Sequence, residues 1–136
     1  MTANKGFSLI EILIALTIIG IMAAGVLGLT KWIGKAKISK TRTTIANVKL
    51  AIDSYANDTG AYPSTLSELA TRPADEKIAK RWQGPYESAE VEDGWKTPFV
   101  YQLNAKGSKN KYELYSWGPN GEGSPENEWI SVWDIA

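Results

Sequence analysis

Phe7 to Ile33 reads as one long apolar segment, broken by charge only at Glu11 near its start and Lys31 near its end. Twenty-seven helical residues span about 40 Å at 1.5 Å each, enough to cross a bilayer core of roughly 30 Å. The helical period continues beyond it. Ile45, Val48, Ile52 and Tyr55 are spaced 3, 4 and 3 residues apart, which is one face of a helix, and Ile38 precedes them on the same run. Lys31, Lys35, Lys40, Arg42 and Lys49 occupy the remaining surface. Asn57-Asp58-Thr59-Gly60 is a C-cap signal, with Pro63 beyond it. The pattern predicts a single helix of about 50 residues, apolar in its first half and amphipathic in its second.

After the helix the alternation changes. Ser64 to Leu69 has the form of a short capped helix, with Thr65 and Glu68 at capping-box spacing. Residues 71–94 are turn-rich, with Pro73, Gly84, Pro85 and Gly94. Phe99–Leu103 and Tyr112–Trp117 are strand-like, and the Gly-, Asn- and Lys-rich run Asn104–Lys111 joins them as an antiparallel hairpin. Gly118–Glu128 is a polar loop, and Trp129–Trp133 is a last short strand. The fold class expected is α+β: a long N-terminal helix whose second half packs on a small antiparallel sheet.

Composition removes most chemistry. The 136 residues contain no histidine and no cysteine, which excludes His-based nucleophilic catalysis, thiolate chemistry, His- or Cys-ligated zinc and a disulfide framework. Fifteen basic residues balance fifteen acidic ones, so no global field points to nucleic acid, and none is expected as a partner. Gly118 to Gly123 lacks the Gly-Lys-Ser/Thr ending of a phosphate loop, and the acidic positions do not match an EF-hand. No carboxylate pair is marked out for glycoside chemistry, so the chain is not read as an enzyme.

Glu11 is the residue that asks for a role. A charge inside a membrane helix costs about 2.5–3.5 kcal/mol on insertion scales and therefore usually has a partner. Gly6-Phe7 followed by Glu11 at the head of a long apolar helix resembles the prepilin processing signature of type IV pilins and pseudopilins. The rest of the chain resembles one branch of that superfamily, the major pseudopilins of type II secretion. Tyr55-x-x-Asp58-x-Gly60-x-Tyr62-Pro63 and Trp82-Gln83-Gly84-Pro85-Tyr86 match its pattern. Asp93-Gly94-Trp95-Lys96-Thr97-Pro98-Phe99-Val100-Tyr101 follows its Asp-Pro-Trp-Gly-x-Pro-Tyr-x-Tyr stretch, with Gly and Lys substituted. Tyr112 to Gly121 follows the strand leading into Ser-x-Gly-x-Asp-Gly, with Asn120 at the aspartate.

The resemblance implies a leader of residues 1–6, a transmembrane and assembly helix of 7–33, and a periplasmic pilin-like domain of 34–136. It implies cleavage after Gly6 by a prepilin peptidase, methylation of Phe7, and a Glu11 carboxylate that faces the Phe7 ammonium of a neighbouring copy. The chain would be single-pass in a bacterial inner membrane, with its C-terminal domain periplasmic. It would polymerise with itself and meet minor pseudopilins and an inner-membrane assembly platform. Lys5 is the lone base before the apolar segment and several follow it, so a count of nearby bases argues for the opposite orientation. The resemblance also implies a calcium ion held by Asn120, Asn127, Glu128 and the carbonyls of Trp117 and Pro125, although asparagine replaces aspartate twice. Three other readings stay open on the residues alone: a simple signal anchor, a type IV or competence pilin, and a monomeric anchored binding protein. Gly20, Gly25 and Gly28 leave open whether the apolar helix stays regular there.

Overall fold

The computed structural model describes residues 5–88 and 90–135. Among the described residues, four short helical turns and a small sheet follow one long helix. Helix α1 runs Leu9–Thr59, 51 residues, and continues through Gly20, Gly25 and Gly28 without a break. Its N-terminal part has a mean hydropathy of 2.6 over 18 residues, which is long and apolar enough to cross a membrane. The large side chains of this part, such as Ile10, Leu16, Ile21 and Leu27, are all exposed. The chain divides into two compact units, residues 1–35 and 36–136.

In the second unit α1 buries one face: Thr41, Ile45, Val48, Ala51, Ile52, Tyr55 and Thr59. The 3–4 spacing that predicted the amphipathic half is the spacing that is buried. The helix ends at Gly60, whose φ of +79° reverses the chain, with its N–H donating to the Ala56 carbonyl at 2.9 Å. Strands β1 (Val100–Leu103), β2 (Tyr112–Ser116) and β3 (Ile130–Ser131) form an antiparallel sheet in the order β1-β2-β3. Val100 faces Tyr115 across the first pair, and Tyr115 faces Ser131 across the second. Tyr112, Leu114 and Ser116 point inward from β2, as a period of two requires. Leu69, Phe99 and Val132 complete the core with the α1 face. Each fully buried aliphatic side chain here contributes about 1.5–3 kcal/mol.

Three local expectations change. Leu66–Leu69 is a 3₁₀ turn, and Thr65 makes no side-chain cap. Its supposed partner Glu68 accepts instead from the Tyr55 hydroxyl at 2.7 Å and the Ser64 N–H at 3.1 Å, because a buried phenol beside it is the stronger claim. Within the turn-rich 71–94 region a single helical turn, α2 (Glu76–Ala79), forms where the Asp75 carboxylate accepts from the Lys77 and Ile78 N–H groups. The final strand is only two residues, since Ser131 caps a 3₁₀ turn, Val132–Asp134, that carries Val132 into the core.

Candidate assembly site and loop anchor

At the head of α1 the Glu11 carboxylate is not bare. Its Oε2 accepts from the Ser8 N–H at 2.8 Å, and the Ser8 hydroxyl accepts from the Glu11 N–H at 3.3 Å. This is a reciprocal capping box, two orphan donors of the first turn satisfied by two side chains. The signal is legible in the sequence as Ser8-x-x-Glu11, at capping-box spacing. The cap supplies the carboxylate with a donor but no cation. Among the described residues the one ion pair is Lys49 with Asp53, at 2.8 Å on the surface of α1. Gly6 and Phe7 precede the helix in an open backbone, with Phe7 84% exposed. Phe7, Glu11, Ile12, Ala15 and Leu16 line one open groove.

Two anchors, one buried and one half-buried, position the second unit's loops. Asp93 is 1% exposed, and its carboxylate accepts from three donors. Its Oδ1 accepts from the Trp95 and Thr97 N–H groups at 2.9 Å each, and its Oδ2 accepts from the Ser116 hydroxyl at 2.6 Å. The neighbouring Gly94 N–H donates to the Thr41 hydroxyl at 2.8 Å, and that hydroxyl donates on to the Lys37 carbonyl. A proline at 94 would have no such N–H, so the glycine substitution creates the tie to α1. The second anchor joins Trp82 to the Leu66–Leu69 turn and Tyr86 to the end of α1. The Trp82 indole donates to the Glu68 carbonyl at 2.9 Å, and the Tyr86 hydroxyl donates to Asp58 at 2.7 Å. Burial is the main reason the Tyr55, Tyr101 and Tyr112 hydroxyls are pushed up from 10, with the Glu68 carboxylate adding to Tyr55. Ser8 and Ser124 carry no role in the sequence reading, and Asp93 enters it only as the first residue of the Asp93–Tyr101 stretch.

The loop expected to hold calcium is engaged with itself. The Trp117 carbonyl accepts from the Ser124 hydroxyl, and the Pro125 carbonyl accepts from the Glu128 N–H at 2.9 Å. The Asn120 amide donates to Glu128 Oε2 at 2.6 Å. Asn127 is exposed. Of the five residues, Glu128 alone carries a formal charge, whereas calcium takes six to eight oxygen ligands and depends on carboxylate charge for affinity. Among the described residues no group of three or more His, Cys, Asp or Glu side chains converges as a metal site. As arranged, this set does not fit a calcium ion.

An apolar exposed helix head carrying a capped carboxylate, followed by a small α+β domain, is the architecture of a pilin-like subunit. The comparisons with known proteins agree. The family described as "Type II secretion system (T2SS), protein G" matches residues 29–133, and the prokaryotic N-terminal methylation motif matches residues 1–27. Type II secretion system core protein G of Pseudomonas aeruginosa is 36% identical, covering 96% of this chain and 96% of that protein. The protein of the same name from Klebsiella pneumoniae is 31% identical, covering 99% and 98%. The crystal structure of the major pseudopilin from the type 2 secretion system of enterohaemorrhagic Escherichia coli shares the fold. Its TM-score is 0.59 at 20% identity, covering 79% of this chain and 93% of that one. This chain belongs to the type II secretion system protein G family. It is a structural pseudopilin subunit and not an enzyme.

Proposed function

We propose that the mature subunit begins at Phe7, after cleavage of residues 1–6, and polymerises through α1 into a short periplasmic filament. The observation that carries this reading is Glu11: a carboxylate on an exposed apolar helix, with one neutral donor, the Ser8 N–H, beside it and, among the described residues, no cation paired with it. Cleavage at Gly6-Phe7 creates one ammonium per subunit. Placed against Glu11 of a neighbouring copy, it neutralises a charge that lipid penalises. Loss of Lys5 leaves the mature side chains one base short of the fifteen acids, so like copies repel little.

In this scheme a prepilin peptidase cleaves and methylates the chain, and an inner-membrane assembly platform adds it beside minor pseudopilins. The chain is single-pass in the inner membrane with residues 34–136 in the periplasm. That orientation runs against the count of bases flanking the helix, and the reason is mechanistic: the leader must reach a cytoplasm-facing peptidase. The test is intact-mass spectrometry of the chain purified from membranes of cells that carry the peptidase. A chain starting at methylated Phe7 is expected. A chain still starting at Met1 in those cells overturns the reading.

A further inference from the structure

We propose that the loop from Trp117 to Trp129 is closed by a clasp of its own, with the Asn120 amide standing where a cation would otherwise bridge two carboxylates. The loop must bring Gly118 and Glu128 together. A Cβ on Gly118 would lie 2.4 Å from the Glu128 carbonyl oxygen, and Gly118 has φ +80°, so only glycine allows this approach. Such a crossing places side chain 120 against side chain 128. Two carboxylates at that separation would repel unless a cation sat between them. Asparagine removes the conflict. Its N–H reaches Glu128 Oε2 at 2.6 Å, a charge-assisted bond that needs no metal and uses an oxygen a metal would need.

The remaining contacts lock the same closure. The Ser124 hydroxyl covers the Trp117 carbonyl, and the Glu128 N–H covers that of Pro125. The Trp129 indole donates to the Ser124 carbonyl at 2.8 Å. Its ring lies flat on Tyr115 of β2, with centroids 4.2 Å apart and planes 5° from parallel, and edge-on to Trp117 at 5.2 Å. The loop is thus pinned to the sheet by an aromatic stack at one end and closed by an amide–carboxylate bond at the other. The consequence is a subunit whose C-terminal loop keeps its shape regardless of the calcium concentration around it.

The test uses the full chain in detergent micelles, melted with tryptophan fluorescence as the signal, since Trp117 and Trp129 report on the loop. Each sample is measured in millimolar calcium chloride and in chelator. The unmodified chain is expected to melt at the same temperature in both. Asn120→Asp is expected to lower Tm in chelator by several degrees, since about 1 kcal/mol corresponds to 4–8 °C for a domain of this size. Calcium is expected to restore that loss. A calcium-dependent rise in the unmodified chain overturns the proposal. So does an Asn120→Asp chain that is undiminished in chelator, or one whose loss calcium does not repair.

Discussion

Glu11 has two jobs in this account, a helix cap and a counter-charge, and a pair of substitutions separates them. Glu11→Gln keeps the cap: the amide oxygen still accepts from the Ser8 N–H, now 2.8 Å from the carboxylate, and glutamine is as good a capping-box residue as glutamate. What it removes is the charge. The neighbour's ammonium is left in lipid without a partner, a loss of about 3–5 kcal/mol for a broken buried pair. At 1.4 kcal/mol per factor of ten, subunit addition should weaken by roughly a hundredfold to a few thousandfold. Ser8→Ala does the reverse. It deletes the 3.3 Å bond from the Glu11 N–H to the serine hydroxyl and leaves the carboxylate in place. The cost is about 0.5–2 kcal/mol of helix-head stability, carried by free and assembled subunits alike, so assembly should change by less than about tenfold. The assay is cross-linking between copies in membranes, with insertion and leader cleavage followed on the same samples. Both variants should be inserted and processed, and only Glu11→Gln should fail to cross-link. Normal assembly of Glu11→Gln, or equal failure of Ser8→Ala, would show that the cap alone explains the residue.

Two further outcomes follow from the second unit. Lys96 has φ +61°, a left-handed conformation that costs a side-chain-bearing residue about 1–2 kcal/mol, at the position where the resembling pattern carries glycine. Lys96→Gly gives part of that back to unfolded-chain entropy, so a net gain of up to about 1 kcal/mol is expected in urea unfolding; an unchanged or lower midpoint would refute it. The second concerns pH. Tyr55, Tyr101 and Tyr112 have folded-state pKa values raised above the ordinary 10.0, so the folded chain holds protons that the unfolded chain releases. Their stabilisation is complete below pH 10 and is lost as pH rises above it. Urea midpoints should be flat in this respect up to about pH 10 and fall steeply beyond, with tyrosinate absorbance rising as the domain unfolds. Tyrosinate absorbance developing at ordinary pH in a still-folded domain would contradict the burial assigned to these hydroxyls.

Legibility differed by the range of the interaction. The long helix, its amphipathic face and its stop at Gly60 rest on neighbours three or four residues apart, and they were readable as a period. The β1–β2 hairpin was readable for a similar reason, through alternation and an intervening turn-rich run. The fate of Glu68 was not. Capping-box spacing with Thr65 is a local signal, but Tyr55, 13 residues upstream, brings a buried hydroxyl to the same carboxylate. The Asp75 cap was not legible for the opposite reason, because a single helical turn is too short to show a period.

By itself, the sequence determined what short-range chemistry can determine: one apolar helix headed by a carboxylate, one amphipathic continuation, a small aromatic-rich domain, and no His or Cys chemistry. The tertiary structure decided where the lone carboxylates go. Asp93 and Ser116 are 23 residues apart, and only folding puts the carboxylate of one under the hydroxyl of the other. Asn120 and Glu128 become partners only because Gly118 lets the chain cross itself. The physical reason is that a polar group carries its demand for a partner in its own structure, while the partner's identity depends on which distant segments burial brings together.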